Sequence, residues 1–306
     1  LYLAERAKSW EEFKHAFSFG AAPGLHIAYA DSSGNIGSLV YGKIPNREHL
    51  LFSDRILNGA NGENEYSYYK YSQNPKLFNP KSGQIVLANA RQNIPEKIGG
   101  FWSPTDRFDT ISKLLNKQKK WSIEDTKRLQ TKSFAESSTV ILPILLNSIK
   151  SYSLSTTETS AIKYLKKWNH LSEISSVGAS IYHYWNISVK KLLFDELTET
   201  ELSKFCKLGE HWSLYKKLLF EPNSKWWDKT STKDNIENKN EIIYQAFKIA
   251  ISKLTKLNNW EWGNIHQLEF EHPLGKKKPL NLIFNLGPYK SPGGYEQINN
   301  LKAASC

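Results

Sequence analysis

Methionine is absent from all 306 residues, and cysteine occurs only at Cys206 and Cys306. Two cysteines are too few for a disulfide framework or a cysteine-rich metal site, and that count leaves the redox compartment open. With no Met anywhere, Leu1 does not read as the start of a natural reading frame, so the chain is expected to be a processed or excised piece. Long apolar runs are missing too: no stretch approaches the roughly 18 residues that a spanning helix needs. The opening Leu1-Tyr2-Leu3-Ala4-Glu5-Arg6 lacks the basic-then-apolar layout of a signal peptide. No Gly-rich phosphate loop occurs, nor a helical pair of His ligands. The eight histidines are scattered, which does not support a metal site. His26, His266 and His272 lie in or beside expected strands and could meet in space, but their spacing does not decide it.

What is present is ordinary for a folded soluble protein: 40% hydrophobic and 23% charged residues, over a length that buries a core as one large domain or two smaller ones. The net charge of +11 invites a polyanion reading. The charge is dispersed, however. Its densest runs, Lys117-Gln118-Lys119-Lys120 and Lys276-Lys277-Lys278, are short, and no standard nucleic-acid motif accompanies them. Solvated faces are the better reading, with attraction to anionic cell surfaces as a side effect. Ten Trp and fifteen Tyr are compatible with a carbohydrate or acyl pocket, but such richness more often means core and surface packing.

The chain changes character along its length. Ser9-Trp10-Glu11-Glu12 has the capping-box pattern, and Trp10, Phe13 and Phe17 recur at near-helical spacing behind it, predicting a short amphipathic helix. Residues 25–30 and 36–42 are strand-like runs flanking Asp31-Ser32-Ser33-Gly34-Asn35, which predicts a β-hairpin. Turn-rich stretches follow at 58–64 and 79–83, and the apolar run Gln84-Ile85-Val86-Leu87-Ala88 reads as a strand. From about Arg107 the period becomes helical, with Phe108, Ile111, Leu114 and Leu115 on one face. Three further capping patterns, Ser122-Ile123-Glu124-Asp125, Ser155-Thr156-Thr157-Glu158 and Thr198-Glu199-Thr200-Glu201, open helices in the middle. Asn223 to Asn240 reads as a solvated loop anchored by Trp226-Trp227, and Ile265 to Phe270 alternates as a strand before a Gly/Pro-rich tail.

A set of these segments carries a resemblance. The run Tyr29-Ala30-Asp31 through Gly34-Asn35-Ile36-Gly37, then Gly42-Lys43-Ile44-Pro45-Asn46-Arg47, resembles a signature of penicillin amidases and acyl-homoserine-lactone acylases. Gln73 to Gly83, Ala88-Asn89, Asp106-Arg107-Phe108, Ser122 to Asp125 with Lys127 to Gln130, Trp262-Gly263, His272-Pro273-Leu274-Gly275, Gly287-Pro288 and Gly293-Gly294 continue it in the same order. The match is weakest between residues 170 and 255.

That resemblance implies an α+β fold, part of a four-layer αββα N-terminal-nucleophile hydrolase sandwich with a helical insertion. Residues 1–106 would supply strands and a flanking helix, 107–257 a mostly helical region, and 258–306 a return to the sandwich strands. It implies an internal part of the β chain of an amidohydrolase, with an N-terminal Ser nucleophile supplied by sequence outside these residues. The α-amino group of such a Ser, with a pKa of about 8, is a competent base at neutral pH where a Lys is not. Asn89 falls at the position of the family's oxyanion-donating Asn, and Arg107 at that of its orienting Arg. On position alone, Asn89 is an ordinary turn residue and Arg107 a solvated residue at a helix start. No cofactor and no metal is expected on these residues. The partners that the resemblance implies are the remaining segments of the same precursor and an acylated small-molecule substrate, not nucleic acid or membrane, in the periplasm or outside the cell. Two departures stand out: Ala90 replaces a second Asn, and Asn46 alters a turn, while the stretch from Asn89 to Arg107 holds Gly99-Gly100 and no evident acidic ligand for calcium.

Overall fold

The computed structural model describes residues 1–46, 56, 58–60, 62, 65, 67–91, 102–118, 120–208, 210–257, 259–295 and 297–300. Arg47, Gly99-Gly100, Cys306 and part of the turn at 58–64 lie outside the described residues. The chain divides into two compact units, Leu1–Phe108 and Asp109–Cys306.

In the first unit, helix α1 (Trp10–Phe17) starts where the Ser9 side chain accepts the backbone N–H of Glu12. The Glu12 carboxylate closes the cap one residue upstream, accepting from the N–H of Lys8 at 2.9 Å. Strands β1 (Leu25–Ala30) and β2 (Ile36–Tyr41) form the expected hairpin, in register from Leu25 opposite Tyr41 to Ala30 opposite Ile36. The Asp31 carboxylate organises its turn. It accepts from the N–H groups of Ser33 and Asn35, from the Asn35 amide and from the Tyr29 hydroxyl, all at 2.8–2.9 Å. These bonds, that from the Asn35 side chain first, hold the Asp31 carboxyl below its ordinary pKa.

Two-residue strands β3 (Pro45–Asn46) and β4 (Ser67–Tyr68) pair with each other. Strand β5 (Lys76–Phe78) joins β2, completing an antiparallel sheet in the order β1-β2-β5. A small core of Trp10, Phe17 and Leu39, with Phe13, Ile27, Tyr29 and Tyr41 against it, fixes α1 to the sheet. Gly37 permits that contact, because a Cβ there would lie 2.7 Å from the Trp10 ring.

The expected strand at Gln84–Ala88 does not form. Residues 84–87 take no strand conformation, and just beyond them Ala90 makes an isolated parallel bridge with Ser103. An apolar run is compatible with a strand, but among the described residues no neighbouring strand is there to complete it.

The second unit opens within α2 (Asp106–Leu115) and is mainly helical: α3 (Ile123–Gln130), α4 (Ser138–Ile149), α5 (Thr156–Lys167), α6 (Val177–Leu193), α7 (Glu199–Phe205), α8 (Glu210–Leu219) and α9 (Lys239–Thr255). Ser122, Ser155 and Thr198 all cap as their spacing predicts, each accepting an N–H three residues on. Helix α6 is buried around almost its whole circumference, as a central helix must be. It packs on α9, where Trp185 is fully buried against Phe247 at 4.5 Å between ring centroids.

Both tryptophans anchor the loop after α8, unequally. Trp227 is buried and donates from Nε1 to the Glu221 carbonyl, while Trp226, 42% exposed, meets the Phe194 ring edge-on. The loop is also shorter than expected, since α9 begins at Lys239 under an Asn238 cap. A short helix α10 (Trp262–Ile265) takes the first residue of the expected strand, leaving β6 (Gln267–Phe270) to pair with β7 (Leu286–Lys290). The pairing shifts register near Gly287, whose φ of 110° and close approach to the Leu268 carbonyl admit no side chain. Around this hairpin Phe270, Leu274, Leu282, Ile283, Leu286 and Tyr289 are each more than half exposed. Among the described residues no helix is long and apolar enough to cross a membrane.

Candidate functional site

Ala88-Asn89-Ala90 alternates strictly: both alanines are 2% exposed and Asn89 points outward. Small residues on either side let the backbone sink into the unit while Asn89 stays at its surface. The Asn89 backbone has a φ of 59°, in the left-handed region that Asn tolerates better than other residues bearing a side chain. Its carbonyl accepts the N–H of Ser103 at 2.9 Å, which holds the turn in place.

Arg107 lies in the first turn of α2, 18 residues further along, and is half-buried. Its Nη2 donates to the Ala88 carbonyl at 3.0 Å and to Asn89 Oδ1 at 3.3 Å. A guanidinium has only donors, so the atom facing it must be the amide oxygen. That contact settles the orientation of the Asn89 amide and leaves Nδ2 to donate elsewhere. A cation resting on Oδ1 also polarises the amide and strengthens its N–H groups as donors. What the pair offers is an oriented, surface-facing N–H donor with a positive charge behind it, suited to an oxygen that gains negative charge.

The structure thus brings the two expected site residues into direct contact. It corrects one detail of their setting: Asn89 follows a segment that forms no strand instead of a strand end. Two supports were not legible in the sequence, the Ala88 carbonyl and the Ser103 N–H, because backbone groups leave no residue-type signal.

The three histidines have separate local duties. His26 stands on β1 opposite Val40. His266 is buried, stacked on Trp262 at 5.1 Å, with Nδ1 2.8 Å from the Ser291 carbonyl. His272 accepts the Leu274 N–H through Nδ1 and stacks on Phe284. Among the described residues no three His, Cys, Asp or Glu side chains gather as a group able to hold a metal ion.

The family model for penicillin amidase matches residues 1–305. Penicillin G acylase of Escherichia coli is 23% identical over 202 residues, covering 61% of this chain and 23% of that protein. The solved structure of a thermostable penicillin G acylase from Alcaligenes faecalis superposes with a TM-score of 0.66 at 17% identity. It covers 94% of this chain and 58% of the solved one. The likeness to that structure is one of fold. The chain spans about a quarter of its curated relative's length and less than two thirds of the solved chain.

Proposed function

This chain belongs to the penicillin amidase family, and from that premise we propose that Asn89 and Arg107 serve the hydrolysis of an amide bond in an acylated small molecule. The observation that carries the reading is the 3.3 Å contact from Arg107 Nη2 to Asn89 Oδ1, which turns the amide N–H groups outward. In the proposed reaction a serine hydroxyl, supplied by sequence outside these residues, attacks the amide carbon. Its proton passes to the serine's own α-amino group, and the carbonyl oxygen becomes an oxyanion that receives a hydrogen bond from Asn89 Nδ2. Collapse expels the amine with that proton, and water then releases the acid from the acyl-enzyme. Arg107 does not touch the reacting atoms; it is a positioning residue acting through Asn89.

The wider reading follows from the family. The sheets of residues 1–106 and 258–306 belong to a four-layer αββα sandwich, with 107–257 as its helical insertion. The rest of the sandwich comes from other segments of the same precursor, and the enzyme works in the periplasm or outside the cell. Penicillins, N-acyl-homoserine lactones and lipopeptides are the substrate classes proposed.

The test uses the complete polypeptide against a panel of these three amide types. Arg107→Ala should lower kcat on the cleaved members about tenfold, roughly 1.4 kcal/mol of barrier, with KM little changed. Arg107→Lys should recover part of the loss. A kcat in Arg107→Ala equal to the parent's for every amide sinks the positioning role. If the complete polypeptide cleaves no member of the panel, the chain is instead a binding scaffold that has kept the fold.

A further inference from the structure

Residues 267–290 form an arm whose base is built into the helical unit. There His266 and Ser291, both buried, exchange two hydrogen bonds: the Ser291 N–H donates to the His266 carbonyl at 3.1 Å, and His266 Nδ1 to the Ser291 carbonyl at 2.8 Å. Beyond this pair the burial ends. All five residues of β7 are exposed, as are three of the four in β6. Neighbouring side chains on a strand point to opposite faces, so both faces of the ribbon are open. Among the described residues neither strand has a second neighbour.

The arm is nevertheless ordered within itself. Its turn at Pro273–Lys276 packs on the short helix α11 (Asn281–Phe284), and His272 stacks on Phe284 at 5.2 Å. The Asn285 amide ties the two sides together, accepting the His272 N–H at 3.1 Å and donating to the Glu269 carboxylate at 3.2 Å. Phe270, Leu274, Leu282, Ile283, Leu286 and Tyr289 are thereby held in place while facing water, with Leu282 81% and Ile283 72% exposed. A two-stranded ribbon alone is only marginally stable, and an apolar surface held open in this way marks a contact for something else.

Three occupants would shed water from it: a lipid surface, a second copy of the chain, or another segment of the same polypeptide. A lipid surface fits poorly, because Phe270 stands between Glu269 and Glu271, both exposed. Sinking its ring into a bilayer would carry two carboxylates against anionic headgroups. Between the other two, tethering decides. The likeness to the solved penicillin G acylase covers 58% of that chain, so this relative carries further polypeptide beyond the superposed part. A tethered segment acts at an effective concentration of up to about millimolar, which a second copy in dilute solution does not reach. We propose that an apolar segment of the same precursor, outside these 306 residues, docks on the arm and covers Phe270, Leu282 and Ile283. This rests on the reading that other segments of the precursor complete the sandwich, and on no role of Asn89 or Arg107.

Hydroxyl-radical footprinting of the complete, unaltered polypeptide in lipid-free buffer tests it. If the arm stays open, Leu282 and Ile283 will oxidise within about twofold of their rates in a tryptic digest, as side chains so exposed must. Docked, they should be protected at least about fivefold, since the centre of an interface excludes water. That protection should survive roughly tenfold dilution, because a tethered contact does not depend on protein concentration. p-Benzoylphenylalanine in place of Phe270 then identifies the occupant, and its photo-cross-links should run to sequence outside these residues. Rates near those of the digest, protection that fades on dilution or needs anionic vesicles, or cross-links confined to these 306 residues would each overturn the proposal. A covered arm in a polypeptide that cleaves no amide leaves this inference standing and removes only the catalytic one. An open arm in a polypeptide that does cleave amides does the reverse.

Discussion

Asn89→Ala is expected to lower kcat on any amide that the complete polypeptide cleaves by about 10²–10³-fold, the cost of one oxyanion donor, or roughly 3–4 kcal/mol. The loss should appear in kcat, because the N–H of Asn89 gains most when the carbonyl oxygen becomes an anion. A conformational effect accompanies the chemical one. Alanine at a φ of 59° is strained by about 1–2 kcal/mol, which could loosen the turn by itself. Asn89→Gly separates the two contributions, since glycine adopts that φ freely yet supplies no side-chain donor. Equal kcat losses in the Ala and Gly variants support the donor role. A Gly variant that retains the parent kcat shows that Asn89 matters only for the shape of its turn. Asn89→Asp tests the same point from another side: the carboxylate would pair with Arg107 and present acceptors where a donor is required.

The largest effect on stability is expected at Trp185. Its side chain is fully buried, its Nε1 donates to the Ile243 carbonyl at 3.0 Å, and its ring packs on Phe247 of the neighbouring helix. Trp185→Ala removes the central contact between α6 and α9 and leaves a large void, at a cost of about 3–5 kcal/mol. Against a typical total of about 5–15 kcal/mol, this removes a large share of the stability. Thermal melting should show a drop of roughly 10 °C, at about 2–4 °C per kcal/mol for a unit of this size. Trp185→Phe keeps most of the ring and should lose less than half as much. A melting temperature unchanged in the Ala variant would mean that the two helices are held together elsewhere.

How much of this was readable beforehand depends on how local each signal is. The caps at Ser9, Ser122, Ser155 and Thr198 were legible because a side chain and the N–H it serves lie within three residues. The hairpin at Asp31 was legible for the same reason. Gln84–Ala88 misled because an apolar run specifies burial but not a partner, and a strand needs both. Residue type and order singled out Asn89 and Arg107. Their contact, and the left-handed backbone that presents the amide, came only with the fold.

The exposed apolar side chains around β6 and β7 bear on how this polypeptide behaves in a test tube. Six large side chains more than half open to water, within 20 residues, form a sticky surface on a molecule with a net charge of +11. At low ionic strength like-charge repulsion keeps such molecules apart over about 30 Å; near 0.1 M salt that range shrinks to about 10 Å, and contact between hairpins is no longer opposed. Added salt should therefore promote clumping of these residues handled on their own, whereas it would loosen any grip of the same charges on a polyanion. Dilute buffer and detergent below micelle-forming levels suit its storage better than the saline commonly chosen for basic proteins.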